Sequence, residues 1–198
     1  IEAAKEGQQI YGGHGYIKEW GMELIARDAR IATLYEGTTG VQALDLLGRK
    51  VILQSKGKII RDYTAGIMKW CGDYALDKNM RKFVWALTKL CAEWNTLTVR
   101  LMLSARKDRE IISAASVDYL MYSGYVMMAY HWARMAAVAY EKLENGGNEA
   151  PEFYKAKIQT AEFYFDKILP RTSGHAESMV APSSSMTDMD IEHFAFLD

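Results

Sequence analysis

The sequence predicts an all-α chain. Three observations carry that expectation: only three prolines in 198 residues, a composition rich in the helix-favouring Ala, Leu, Met, Lys and Glu, and apolar residues recurring every three or four positions without alternating β-branched runs. The length allows one sizeable core or two small ones. Formal charge is −1, with 24 basic and 25 acidic residues interspersed, so no electrostatic footprint for nucleic acid, an anionic membrane or an acidic substrate stands out. Cys71 and Cys91 stand in apolar helical stretches without CxxC spacing and are expected to be two reduced, buried thiols in a reducing compartment.

Taken in order, the chain opens on Ile1-Glu2-Ala3-Ala4, which reads as the middle of a helix. No charged segment followed by an apolar run appears in these residues, so no secretory signal is expected here. That helix stops at Gly12-Gly13, and Gly15 extends the break. A glycine turn lets backbone N–H groups approach a phosphate or an adenine, though taken alone it also reads as a plain helix stop, with His14 a turn residue. Leu24, Ile25, Ala29, Ile31 and Ala32 then form the apolar face of a short amphipathic helix ending near Tyr35. Tyr35-Glu36-Gly37-Thr38-Thr39-Gly40 is the turn that follows. Thr38 or Thr39 can cap the next helix, which runs from about Thr38 to Gln54 through Val41, Leu44, Leu47 and Val51. Glu36 therefore stands beside a helix N-terminus, where N–H groups and the dipole suit an anion or a polarised carbonyl. Read from the residues alone, the same turn is also a cap with a solvated glutamate.

Lys56-Gly57-Lys58 breaks the pattern. Beyond it, Ile59, Ile60, Tyr63, Ile67 and Trp70 predict one helix, and Phe83, Val84, Leu87, Leu90, Trp94, Leu97 and Leu101 a second, separated by Asp77-Lys78-Asn79. Ile111 to about Leu143 reads as one long helix, whose Val117, Leu120, Met121, Met127, Met128, Trp132 and Met135 imply burial on more than one side. The methionines are expected in the core, although Met-rich faces also serve as adaptable binding surfaces. Tyr119 to Ala133 is apolar but shorter than the roughly 20 residues of a span, and Asp118 and Arg134 bracket it, so no membrane span is expected. After the loop Glu144 to Ala150, Pro151 fits the first turn of a last long helix through Tyr154, Ile158, Ala161, Phe165 and Leu169, ended by Pro170. From Arg171 the chain changes character. Ala181-Pro182-Ser183-Ser184-Ser185 is linker-like, and Ile191, Phe194 and Phe196 are available to dock. These breaks divide the chain into 1–56, 57–180 and 181–198.

Several chemistries lack their residues. None of His14, His131, His175 and His193 completes a Glu-x-x-His motif for a di-iron bundle, and no GxSxG, P-loop or Cys/His zinc spacing occurs. No metal site is expected.

Gln9-Ile10-Tyr11-Gly12-Gly13-His14-Gly15-Tyr16, Arg27-Asp28-Ala29-Arg30-Ile31 and Tyr35-Glu36-Gly37-Thr38, in this order and spacing, resemble the carboxyl-terminal region of the acyl-CoA dehydrogenases. The longer run from Tyr35 to Lys50 resembles a subgroup with an additional helical extension, which includes dehydrogenases acting on 3-(methylthio)propanoyl-CoA. The resemblance implies that 1–56 end the catalytic helical domain, that 57–180 form an appended bundle, and that the amino-terminal helical and middle β-domains are missing from this chain. It implies FAD-dependent α,β-desaturation of an acyl-CoA, with Glu36 removing the α-proton while the flavin takes the β-hydrogen as hydride. The Glu36 N–H would help hold the thioester carbonyl, Gly37 would lie against substrate, and Thr38 would contact FAD. Gln9 and Gly13 would reach the FAD of a neighbouring subunit, which makes the enzyme a homo-oligomer. Gly40 stands where the family often has a Gln that touches FAD. Electron-transfer flavoprotein is the implied electron acceptor, and the bacterial cytoplasm, ahead of the mitochondrial matrix, the implied compartment. The alternative is a helical interaction or regulatory module that keeps the fold without the chemistry.

Overall fold

The computed structural model describes residues 1–194, with the Phe194 side chain left aside, and among these residues every regular element is helical. The all-α expectation holds. Compactness divides the chain into two units, Ile1–Gln42 and Ala43–Asp198.

The first unit holds α1 (Glu2–Ile10), 3-10 turns at Gly12–Gly15 and Lys18–Trp20, and α2 (Met22–Ile31). Of its residues only Gly15 is buried. The apolar face read from the sequence is real but uncovered: Leu24, Ile25 and Ile31 are each about half exposed. This unit has no core of its own.

The helix expected from Thr38 to Gln54 begins as α3 (Thr39–Leu44) and continues as a π-helix over Asp45–Gln54. Its end explains the looser winding. Ser55 N–H donates to Lys50 O, five residues back, and Gly57 N–H to Val51 O, six back, at 2.8 Å. Lys56 (φ +49°) and Gly57 (φ +78°) supply the left-handed backbone that this closure needs. At its start Asp45 receives Arg49 and Lys50, whose hydrogen bonds hold its carboxyl at about 2.

In the second unit α4 (Lys58–Asp73) and α5 (Arg81–Ser104) form a hairpin across the expected Asp77 turn, where Asp77 Oδ1 accepts the Asn79 N–H at 2.8 Å. α6 (Glu110–Asn145) is the central helix, packed by α5, α7 (Pro151–Phe163), α8 (Thr172–Met179) and the π segment. Phe83 and Phe165 meet edge-to-face at 4.8 Å between ring centroids, and Leu87, Leu101 and Val126 fill the same core. Each such side chain contributes about 1.5–3 kcal/mol by leaving water. Both cysteines are free and buried, as expected.

Three expectations are corrected here. The α6 methionines do not fill the core: Met127, Met128, Met135 and Val117 are exposed, and Leu120, Met121 and Trp132 are partly so. Burial on several sides is correct, but it falls on Ala115, Ala129, Ala133, Ala136 and Ala137 with Tyr119, Tyr122 and Val126. Small side chains let neighbouring helices approach closely and leave the long ones outside. Secondly, the chain does not lose its helical character at Arg171. Thr172, Ala176 and Met179, at spacings of four and three, bury α8 against the bundle, a signal masked by the weak helix formers Thr, Ser and Gly around them. Thirdly, Ala181–Ser185 is no free linker, because Ser183 is buried, donates to the Asp108 carboxylate and precedes α9 (Ser184–Thr187). Ile191 is 88% exposed, so it is not docked on the described residues. The expected docking of Phe194 and Phe196 lies outside the described side chains. Among the described residues no helix is long and apolar enough to cross a membrane.

Candidate functional site

The turn between α2 and α3 holds Glu36, Gly37 and Thr38 in a defined backbone. Its ends are tied by Tyr35 N–H to Ile31 O at 3.2 Å and Thr39 N–H to Thr33 O at 3.2 Å. Inside it Glu36 has φ +53° and Gly37 φ +96°. A left-handed glutamate costs about 1–2 kcal/mol, so its neighbours must hold it there. Gln42 does so, its Nε2 donating to Glu36 O at 2.8 Å. Gly37 makes room for that contact, since a Cβ there would lie 2.9 Å from Gln42 Nε2 and 3.4 Å from Val41 Cγ1. The Glu36 side chain is thereby turned to solvent.

The same geometry leaves donors free. Among the described residues the N–H groups of Glu36, Gly37 and Thr38 have no hydrogen-bond acceptor, while Thr38 O accepts the Gln42 N–H at 3.0 Å to start α3. An exposed carboxylate flanked by unpaired N–H groups combines a proton acceptor with donors for a neighbouring oxygen, which is what enolate chemistry next to a carbonyl requires.

The second expected group forms a separate turn. Gln9 and Gly13 are both exposed, and a Cβ at Gly12 (φ +57°) or Gly13 would meet nothing within 4 Å. Open backbone of this kind suits a flat or phosphate-bearing ligand. Gln8 fixes the turn: its Nε2 donates to Gly15 O at 3.1 Å, and Gly15 is pressed so closely on α1 that a Cβ would come within 2.2 Å of Gln8 O. His14 packs edge-on to Trp20 with ring centroids 5.1 Å apart, in keeping with a turn residue. Among the described residues no hydrogen bond joins the Gln9–Gly13 turn to the Glu36–Thr38 turn. Sequence reasoning missed the roles of Gln8 and Gln42, and also a cleft of about 550 Å³ lined by Tyr16, Lys18, Glu23, Arg27 and Arg30. Only the cations recurring at 27 and 30 signal it.

Known proteins match along almost the whole chain. Residues 1–51 match the family model described as "Acyl-CoA dehydrogenase, C-terminal domain", and residues 60–190 match "Acetyl-CoA dehydrogenase C-terminal like". A 3-methylmercaptopropionyl-CoA dehydrogenase of Ruegeria pomeroyi is 33% identical over 189 residues, covering 94% of this chain and 31% of that protein. The broad-specificity linear acyl-CoA dehydrogenase FadE5 of Mycobacterium tuberculosis is 28% identical over 192 residues, covering 93% and 31%. A shorter match joins the caffeyl-CoA reductase-Etf complex subunit CarC of Acetobacterium woodii, 47% identical over 47 residues, 24% of this chain and 12% of that one. The chain thus spans about a third of the length of the first two relatives.

Proposed function

The chain belongs to the acyl-CoA dehydrogenase family as a part of its carboxyl-terminal region, and from that premise we propose that the complete enzyme desaturates an acyl-CoA with Glu36 as the α-proton base. The observation that carries this reading is the Glu36 turn itself, in which a strained, exposed carboxylate-bearing residue stands beside three unpaired N–H groups. Glu36 takes the proton, and its own N–H donates to the thioester oxygen, stabilising the charge that develops there. Gly37 lies against the substrate. Bound FAD supplies the hydride acceptor. Gln9, Gly13 and Thr38 would hold it, and their exposure, with the open backbone at Gly12 and Gly13, fits that role.

In this reading 1–56 end the catalytic helical domain, 57–180 are an appended bundle and 181–198 a tail. The first unit's lack of a core fits with the rest of the catalytic domain packing on its exposed Leu24, Ile25 and Ile31. The Gln9–Gly13 turn would reach the FAD of a second copy, making the enzyme a homo-oligomer, and electron-transfer flavoprotein would reoxidise it in a bacterial cytoplasm. The match to a subunit of an Etf complex supports that acceptor. Anaerobic mixing of the complete protein with short- and medium-chain acyl-CoA tests the proposal. Bleaching of bound flavin is expected, whereas a purified complete protein without flavin absorbance would favour the non-enzymatic module.

A further inference from the structure

The hairpin of α4 and α5 leaves an open groove of about 730 Å³, a size typical of small-molecule sites, lined by Gly57, Thr64, Ala65, Met68, Val99 and Met102 with three cations. The cations are Lys56, Arg61 and Arg106, and no acidic residue joins them in the lining. Among the described residues none of the three forms an ion pair. The acids closest in sequence are engaged elsewhere: Asp62 with Lys58, and Asp108 with Ser183 and the Glu110 N–H.

The groove is polarised along its length. Gly57, the N-cap of α4, sits so near α5 that a Cβ there would lie 3.3 Å from Met102 Sδ and 3.6 Å from Thr98 Cγ2. The start of α4 therefore lies beside the end of α5, which gathers Lys56, Arg61 and Arg106 towards one end and leaves Ala65 and Met68 towards the other. Much of the polar floor is bonded within the bundle. Thr64 Oγ1 donates to Ile60 O and accepts from Asn95 Nδ2, which also donates to Cys91 O, and Thr98 Oγ1 pairs with Tyr119 at 2.7 Å. From Arg61 to Met68 the apolar part runs about 10 Å along α4, the reach of a chain of about eight carbons.

We propose that this groove binds an unbranched aliphatic carboxylate, its head on Lys56, Arg61 and Arg106 and its chain passing Met102 and Val99 to reach Met68. Three unpaired cations without a lining acid select an anion, and the apolar length behind them selects a chain rather than a free inorganic anion. This inference stands apart from the Glu36 reading, because no residue of the groove belongs to that turn.

The test uses the complete protein carrying ¹³C-methyl methionine, with the Met68 and Met102 signals assigned through Met68→Leu and Met102→Leu. Decanoate is titrated below its micelle concentration, with decan-1-ol and acetate as the other arms. Both methyl signals are expected to shift saturably with decanoate, at concentrations at least about ten-fold below those needed for either of the others. Arg61→Gln with Arg106→Gln is expected to raise the decanoate half-saturation at least about ten-fold, and Val99→Trp, which fills the groove, to do the same while the decanoate-free spectrum of the core is kept. Equal binding of decanol would remove the cations from the account, and equal binding of acetate would remove the chain. Immobile Met68 and Met102 signals, as when another part of the enzyme covers the groove, would overturn the proposal, as would an unchanged half-saturation in the double variant.

Discussion

Gly37→Ala isolates the turn that holds Glu36. The added Cβ meets two obstacles at once, a backbone at φ +96° that an L side chain rarely adopts and Gln42 Nε2 only 2.9 Å away. The first costs about 1–2 kcal/mol. If Gln42 gives way, its bond to Glu36 O is lost as well, worth about 0.5–1.5 kcal/mol. Together the turn should open about 1.5–3.5 kcal/mol more readily, which speeds exchange of its protected amides by roughly 10- to 400-fold. Those amides are the Thr39 and Gln42 N–H groups, bonded to Thr33 O and Thr38 O. Hydrogen exchange of a peptide spanning 35–42 reads the change directly in the complete enzyme. Gln42→Ala is the control, since it removes the hydrogen bond but leaves the glycine, and roughly 2- to 10-fold faster exchange is expected. Exchange within about three-fold of wild type in Gly37→Ala would refute the claim that glycine and Gln42 hold the turn.

Phe83→Ala should cost about 3–5 kcal/mol in denaturant unfolding, because Phe83 is 1% exposed at the α5 face that meets Phe165. A cycle with Phe165→Ala should give a coupling of about 0.5–1.5 kcal/mol, and a coupling near zero would contradict the edge-to-face contact. Stability should fall as pH rises from about 9 towards 12. Burial pushes the Cys91 thiol from 9.0 up to about 12 and the Tyr119 phenol from 10.0 up to about 12, and it raises Tyr122 too, with the Glu93 carboxylate adding to the rise. The unfolded chain therefore releases these protons first, and the stabilisation, complete below the unfolded values, is lost through that window. A melting temperature constant between pH 8 and 11 would contradict it. The isolated 198-residue chain should bind FAD poorly, since only the Gln9–Gly13 turn and Thr38 are present and their unit has no core; a stoichiometric complex by flavin fluorescence quenching would show otherwise.

Helical periodicity made most of the fold legible. Phe83, Leu87, Trp94 and Leu101 recur at helical spacing and are all buried, and Pro151, Asp77 and Gly57 mark ends that the structure keeps. Hydrophobicity without periodicity misled on α6. Methionine and valine there face outward, while alanines of lower individual hydrophobicity line the contacts, because closeness between helices depends on side-chain size. The π winding of Asp45–Gln54 was hidden because Leu47 and Val51 fit an α-helical spacing equally well. At the site, a motif could name Glu36, Gly37 and Thr38, but not the left-handed backbone or the reach of Gln42 back across six residues. Such contacts depend on the path of the turn, which local propensity does not encode.

Glu36→Gln removes the proposed base while glutamine keeps the size and hydrogen bonding of the side chain without its basicity. Stopped-flow bleaching of the flavin by acyl-CoA in the complete enzyme should slow by at least about 10²-fold, the lower end of general-base contributions, while equilibrium binding of acyl-CoA is retained. Flavin reduction at a near wild-type rate in Glu36→Gln would contradict the account and assign the proton to another residue.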